Sequence, residues 1–225
     1  PEYVPGEQEF REVFGIGMKQ RRNDVKISID SLNNVVCGKQ DIPFSAKRDM
    51  VLASIVLKYT QSNSVGYALN GQMIGVGAGQ QSRVDCVKLA GKKSSTWWLR
   101  HHPKVRKLLF KSSVKRQEQI NARVSYIEGE LTAAERVHFL DLFEEAPPSE
   151  LLTNEEKTSF MNELKGVSIS SDAFFPFRDS IDHASKVGVQ FVAQPGGSVA
   201  DEDIKAACIE YGMSMAFTSI RLFHH

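Results

Sequence analysis

The last sixty residues alternate between two kinds of pattern, and this alternation constrains the fold more than any other feature of the chain. Strand-like runs cover residues 166–170, 189–193 and 213–218. Helix-like stretches at 177–186 and 198–211 lie between these runs. Strands that alternate with helices at this spacing predict parallel strands joined by crossover helices. We therefore expect an α/β fold.

A second local signal, in the first half of the chain, predicts an antiparallel hairpin. Residues 64–69 and 72–77 both have the composition of strands, and Asn70-Gly71 separates them. Asn-Gly favours a two-residue turn because both positions require a positive φ. The predicted sheet is therefore mixed.

The remaining segments support only a coarser prediction. Residues 1–45 form a polar amino-terminal segment, with an exposed basic loop at 15–22. Helices are predicted at 46–59 with Ser45 as N-cap, at 82–89, and in two or three pieces within 113–166, where residues 146–149 form a break.

Composition and charge exclude several classes of protein. The chain has 225 residues, 41% of them hydrophobic, which is enough for a sizeable core. A formal net charge of +1 gives no overall field that favours nucleic acid or a membrane, and no apolar run approaches the roughly 18 residues of a bilayer span. Cys37, Cys86 and Cys208 are far apart, which favours buried thiols in a reducing cytosol over disulfides or structural zinc.

A glycine-rich turn at 75–83 leads from a strand into a helix and ends at Arg83. Free backbone amides, the helix dipole and a guanidinium together suit a phosphate or carboxylate. The glycine spacing differs from the dinucleotide-binding fingerprint. Close backbone packing that only glycine permits is the alternative explanation.

Two further segments contain polar groups beside predicted strands. Residues 59–65 are mostly short polar side chains that either cap a junction or present the Asn63 amide to a reacting group. Residues 170–179 place three phenylalanines around Pro176, followed by Asp179. An aromatic wall beside one carboxylate suits a flat heterocycle such as a pterin, whereas a core plug with Asp179 as a helix cap is equally consistent.

The stretch from residue 87 to residue 117 has no acidic residue and ten Lys or Arg, together with Trp97 and Trp98. Such a stretch is a solvated face, a nucleic-acid surface, or an attractor for a small polyanion. The terminal His224-His225 pair is weak evidence for a metal.

Taken together, these segments resemble the AICAR transformylase domain of a bifunctional purine-biosynthesis protein whose other domain is IMP cyclohydrolase. The matching runs occur in family order at Lys58–Val65, Gly77–Arg83, Trp97–Pro103, Ser168–Asp179 and Arg221–His225. The resemblance implies transfer of a formyl group from 10-formyltetrahydrofolate to AICAR. It also implies a homodimer with sites at the interface, and a cytidine-deaminase-like α/β/α fold with a mixed sheet. Residues 46–225 would form the second such subdomain, with a mostly helical insertion near 95–165.

The same resemblance implies roles for individual residues. Asn63 would lie near the formyl group. AICAR would be bound by Asn63, Arg83, Arg221, Phe223 and His225. Folate would be bound by Val84, Phe174, Asp179, Ser198 and Val199. A potassium ion would lie near Thr60, Ser64 and Asp172.

The chain departs from the family in one respect that bears on activity. The family's main catalytic pair is a Lys-His dipeptide, and no such dipeptide occurs in this sequence. Because the chain also lacks the cyclohydrolase region and a starting Met, we expect a carboxy-terminal fragment that is inactive alone. The alternatives are an RNA-binding module that uses the basic stretch and a truncated product retained for dimerisation.

Overall fold

A computed structural model describes residues 3–145 and 151–223. It contains a two-stranded hairpin and a six-stranded mixed sheet that has helices on both faces. The strands are β1 (Gln8–Val13), β2 (Ile16–Arg21), β3 (Val35–Cys37), β4 (Ser64–Leu69), β5 (Gln72–Ala78), β6 (Val167–Ser171), β7 (Val189–Gln194) and β8 (Ser214–Phe217). The helices are α1 (Phe44–Leu57), α2 (Arg83–Leu99), α3 (Pro103–Arg106), α4 (Arg116–Glu128), α5 (Ala133–Asp141), α6 (Asn154–Met161), α7 (Asp179–Ser185) and α8 (Asp201–Glu210), with a 3-10 turn at Ile29–Leu32.

The order of strands in the main sheet is β3-β8-β7-β6-β4-β5. Strands β6, β7 and β8 are parallel, which confirms the crossover prediction for the last sixty residues. Strand β4 runs antiparallel to both β5 and β6, and Asn70 and Gly71 have φ of 52° and 80°, as the predicted hairpin requires. The mixed α/β sheet is thus confirmed.

Each face of the sheet has its own apolar core, because successive strand residues point to opposite sides. Val192 and Met215 pack with α2, α7 and α8, whereas Ala193 and Ala216 pack with α1 and the 3-10 turn. On β6, the hydroxyls of Ser168 and Ser170 donate to carbonyls of α1. The sheet is therefore the middle of three layers.

The region between α2 and β6 forms a separate helical cluster with its own apolar core. Leu99, Val105, Tyr126, Phe139 and Phe143 are buried in it. Trp97 and Trp98 pack against the neighbouring core, and Trp98 Nε1 donates to the Phe160 carbonyl at 2.9 Å. The tryptophans are therefore used in packing.

Three local predictions differ from the structure. The loop expected at 15–22 is largely β2, which pairs with β1 around a turn at Phe14 and Gly15. Ser45 is not a helix cap, because α1 begins one residue earlier and has no side-chain cap. Helix α2, capped by Ser82, continues to Leu99 rather than ending near residue 89.

The described residues include no helix that combines the length and the apolar character needed to cross a bilayer.

Helix α2 approaches the hairpin so closely that only glycine fits at Gly77 on β5. A Cβ at Gly77 would lie 2.1 Å from the Cys86 carbonyl oxygen, which belongs to helix backbone and cannot rotate away. We expect Gly77→Ala to lower the free energy of unfolding by about 1–3 kcal/mol, the usual cost of overpacking. Urea unfolding would measure this. Gly6→Ala is the control, because its Cβ would approach no atom closer than 3.9 Å; equal losses in the two variants would contradict the packing argument.

Candidate functional site

One edge of the sheet brings together segments that are distant in sequence. The carboxyl ends of the parallel strands β6, β7 and β8 meet there, and the antiparallel strand β4 begins there. The loops after β6 and β8 and the loop before β4 therefore meet at this edge. Open α/β sheets bind ligands at the carboxyl ends of their strands.

A cavity of about 510 Å³ opens at this edge. Its lining includes seven residues that the sequence analysis had singled out: Asn63, Arg83, Val84, Phe174, Asp179, Arg221 and Phe223. They come from four segments that are separate in the sequence, and the pairing of the start of β4 with the end of β6 brings two of these segments together. Ligand sites of drug-sized molecules occupy cavities of this size.

Ser198 and Val199 do not line this cavity. Val199 is fully exposed, and Ser198 accepts a hydrogen bond from the Ala200 amide at 3.1 Å. A second cavity of about 490 Å³, adjacent to the first and sharing Ala173, Phe174 and Arg221 with it, reaches the preceding Gly196 and Gly197. His225 lies outside the described residues.

Arg83 is buried and is bound to protein groups. Its Nη1 forms an ion pair with Asp172 Oδ1 and donates to the Ser64 carbonyl at 2.9 Å, while Nη2 donates to Asn63 Oδ1 at 3.0 Å. Among the described residues its buried Nε has no acceptor. The sequence analysis expected a guanidinium free to bind an anion, but this one already has an acidic partner.

Asp172, the first residue after β6, is fully buried and holds this network together. Its Oδ2 accepts from the Ser62 hydroxyl at 2.6 Å and from the Ser64 hydroxyl at 2.9 Å. Its backbone carbonyl accepts from the Leu222 amide at 2.8 Å, which fixes the carboxy-terminal segment beside the cavity. Sequence analysis did not single out Ser62, although it lies in the polar run at 59–65.

The Asn63 side chain has a defined orientation because its partners have fixed roles. Arg83 can only donate, so the atom facing it is the amide oxygen. Asn63 Nδ2 then donates to the Gln80 carbonyl at 3.0 Å and, less closely, to the Gln81 carbonyl at 3.4 Å. The amide therefore joins the glycine turn to Arg83, and its role as a donor to a reacting group stays a prediction.

The residues expected near potassium are only partly together. The Ser64 hydroxyl donates to Asp172, but the Thr60 hydroxyl donates to the Leu57 carbonyl at 3.1 Å within its own turn. Both oxygens of the Asp172 carboxylate accept hydrogen bonds, and Arg83 balances its charge. These residues do not fit an ion bound directly by Asp172, and no step below depends on potassium. Among the described residues, no cluster of three or more His, Cys, Asp or Glu could hold a metal ion.

The three phenylalanines after β6 lie in two different environments. Phe175 is fully buried, and its amide donates to Gln194 Oε1 at 2.8 Å. Phe174 and Phe177 line the cavity and remain 40% and 68% exposed. Phe175 is thus part of the core, whereas Phe174 and Phe177 form an aromatic wall of the cavity, and binding of a heterocycle to that wall stays a prediction.

Asp179 begins α7 but does not cap it, because the N-cap position is Arg178 and no side-chain cap bond forms. Arg178 pairs with Asp182 and Glu210 instead. Asp179 accepts a long hydrogen bond of 3.3 Å from the Ser180 hydroxyl, and within the described chain no cation pairs with it. Its carboxylate can therefore accept hydrogen bonds from a ligand in the cavity.

Arg221 is the exposed cation of the cavity. Its guanidinium carbon lies 4.9 Å from the centre of the Phe223 ring, and no carboxylate in the described segments pairs with it. Of the two arginines predicted to hold an anion, Arg221 is therefore the available one.

Cys86 lies beneath the glycine turn, and its thiol donates to the Asn63 carbonyl at 3.0 Å. Burial raises the pKa of this thiol. A protonated thiol is a poor nucleophile, so Cys86 has a structural role.

Comparison with known protein families gives a match over residues 2–93 to the family described as AICARFT/IMPCHase bienzyme. The matched segment includes Asn63, Ser64 and Arg83 and ends inside α2. Phe174, Asp179 and Arg221 lie beyond it.

The buried ion pair generates a stability prediction. Asp172→Asn keeps the shape of the side chain but leaves Arg83 buried without a counter-charge, which typically costs about 3–5 kcal/mol. Urea unfolding at neutral pH would measure the loss. Asp141→Asn, which breaks the exposed pair with Lys111, is the matched control and should leave the midpoint unchanged. If Asp172→Asn is as stable as the parent, Arg83 has another source of compensation.

Proposed function

We propose that this chain acts as a member of the AICARFT/IMPCHase bienzyme family, which its residues 2–93 match, and that its cavity binds AICAR and 10-formyltetrahydrofolate for formyl transfer in purine biosynthesis. One observation carries the proposal: a single cavity has an available carboxylate, Asp179, and an available guanidinium, Arg221. These two groups suit the two halves of the reaction, a pterin with ring N–H donors and a nucleotide with a phosphate.

The folate end is supported by Asp179 and the exposed phenylalanines. A carboxylate accepts two parallel hydrogen bonds from adjacent ring N–H groups of a pterin. Phe174 and Phe177 offer apolar surface to the flat ring system. Ser198 and Val199 would contact folate only if it also extended along the second cavity.

The nucleotide end is supported by Arg221 and by the first turn of α2. Gln81, Ser82 and Arg83 line the cavity where this helix begins, so its positive dipole end adds to the charge of Arg221. Arg83 contributes by fixing Asn63, rather than as a free phosphate ligand.

The chemistry requires more than these residues supply. The AICAR amine attacks the formyl carbon and a carbon–nitrogen bond forms, while a base accepts the amine proton. The bond between the formyl carbon and N10 of the folate then breaks, and N10 takes up a proton as tetrahydrofolate leaves. A donor must also stabilise the oxyanion that develops in between. The described lining includes Asp179, Arg83 and Arg221 as its only ionisable groups, and neither His nor Lys.

We therefore propose that this polypeptide binds both ligands but transfers formyl slowly by itself. We also propose that the complete site needs residues of a longer chain or of a second subunit in a homodimer. The RNA-binding alternative is weaker, because Trp97 and Trp98 are partly buried and pack against the apolar core, which leaves less of each ring for stacking on bases.

The two ends of the cavity can be tested separately by thermal shift. AICAR monophosphate and a tetrahydrofolate analogue should each raise the melting temperature. A ligand at a hundred times its Kd adds about 2.7 kcal/mol to the free energy of unfolding. Asp179→Asn should abolish the folate response and keep the nucleotide response, because it loses the acceptor charge. Arg221→Gln should do the reverse.

Asp203→Asn and Arg21→Gln are controls with the same charge changes at exposed positions on α8 and β2. Both should respond like the parent to both ligands. If the two site variants also respond like the parent, the cavity does not bind these ligands as proposed.

A separate assay tests whether the residues present suffice for catalysis. We expect formyl transfer by this polypeptide at less than about one hundredth of the rate of an intact family enzyme, since a general base alone contributes roughly 100- to 10,000-fold. Near-native turnover would show that the described cavity contains a base after all.

A further inference from the structure

A third cavity, of about 290 Å³, lies in the helical cluster and shares no lining residue with the two cavities at the sheet edge. Helix α4 lines it with residues 118, 121, 122 and 125, and helix α5 with residues 135, 138, 139 and 142. Each set has the spacing i, i+3, i+4 and i+7, which places its members on one face of a helix. The cavity is therefore formed by one side of each helix, together with Leu131 from the link between them.

The apolar part of the lining belongs to the core of the helical cluster. Ala122 and Phe139 are buried in that core, and Leu131 and Leu142 pack against it. Small-molecule sites are typically apolar surfaces with a few polar groups that fix the orientation of the ligand. These four side chains can hold an apolar or aromatic body.

The two acidic residues of the lining, Glu118 and Glu135, are oriented by contacts that begin the helices. Glu118 Oε2 accepts from the Lys115 amide at 3.0 Å. Glu135 Oε2 accepts from the Thr132 amide at 2.8 Å and from the Thr132 hydroxyl at 2.7 Å. These contacts use one oxygen of each carboxylate, and in the described part of the chain no Lys or Arg forms an ion pair with either. Both carboxylates are thus positioned before a ligand arrives, which lowers the entropic cost of binding.

The charge of this cavity differs in sign from that of the candidate cavity at the sheet edge. Its lining contains two carboxylates and neither Lys nor Arg, whereas Arg83 and Arg221 line the other cavity. Hydrogen bonds from Thr132 lower the pKa of Glu135, so this carboxylate is ionised at neutral pH. The arrangement attracts a cation and repels phosphate or carboxylate ligands.

We propose that the cavity between α4 and α5 binds a small organic cation, in which a primary ammonium is joined to an apolar or aromatic body. Glu118 and Glu135 accept hydrogen bonds from the ammonium, and the body packs on Phe139 and its apolar neighbours. The site does not rest on the function proposed above, because the two cavities have no residue in common and suit ligands of opposite charge.

Tryptamine is the probe, and tryptophol, which has a hydroxyl in place of the ammonium, is its neutral counterpart. Each is titrated into the full chain labelled with nitrogen-15, and the amide resonances are followed by NMR at low salt. Tryptamine should shift amides of α4 and α5. Tryptophol should bind about fivefold more weakly or worse, because it cannot pair with the carboxylates.

Glu118→Gln and Glu135→Gln should each weaken tryptamine binding by about threefold to fivefold, the range of an exposed ion pair, and leave tryptophol binding unchanged. Glutamine keeps the hydrogen bond that begins each helix, so the fold is preserved. Ser125→Leu adds an apolar side chain to the cavity and should abolish binding of both probes.

Glu163→Gln is the matched control, an exposed glutamate outside the cavity, and should bind both probes like the parent. Circular dichroism of each variant checks the fold. Equal affinities for tryptamine and tryptophol overturn the proposal, as do unchanged tryptamine affinities in both glutamate variants. Shifts confined to residues outside α4, α5 and their link also overturn it, because the probe then binds elsewhere.

Discussion

The buried carboxylate of Asp172 is the interaction on which the site depends. A charge in the interior must be compensated by partners that the fold itself supplies, and here three residues from two places do so: Ser62 and Ser64 at the start of β4, and Arg83 at the start of α2. Through Arg83 the same network fixes Asn63, and through its backbone it fixes Leu222. Since a buried pair is often no more stable than an apolar replacement, its effect is better understood as geometric. It sets the relative positions of the segments that line the cavity.

This dependence explains which features of the site could be predicted from the sequence. The Asn-Gly hairpin and the alternating carboxy-terminal segment are local patterns, and they predicted the antiparallel pair β4–β5 and the parallel direction of β6, β7 and β8. Convergence of Asn63, Asp179 and Arg221 follows from that topology together with the family resemblance. The role of Arg83 did not follow, because its partner is 89 residues away and a glycine turn ending in arginine looks the same whether the anion is a ligand or a protein carboxylate.

The other differences also have physical causes. The three phenylalanines lie in a loop without a regular period, so neither of the rules that separate buried from exposed positions in helices and strands applies to them. The Phe175 amide donates to the side chain of Gln194 at the end of β7, a contact between a loop and a strand 19 residues later that no local pattern records. The β1–β2 hairpin was not predicted because its local signals are weak. Its turn at Phe14-Gly15 lacks the Asn-Gly signal, and its strands alternate weakly because they lie on the surface.

Helix α2 connects these observations. At its first residue the fold pairs the arginine with a buried acid and leaves another cation, Arg221, available in the cavity. Farther along the chain, Lys92 on α2 pairs with Glu128 at the end of α4, and Lys104 on α3 pairs with Glu156 on α6. The formal net charge of +1 does not predict this distribution, because a total does not show which basic residues lie next to acids in the fold. The number of basic residues in a segment does not reveal which cations the fold leaves without acids.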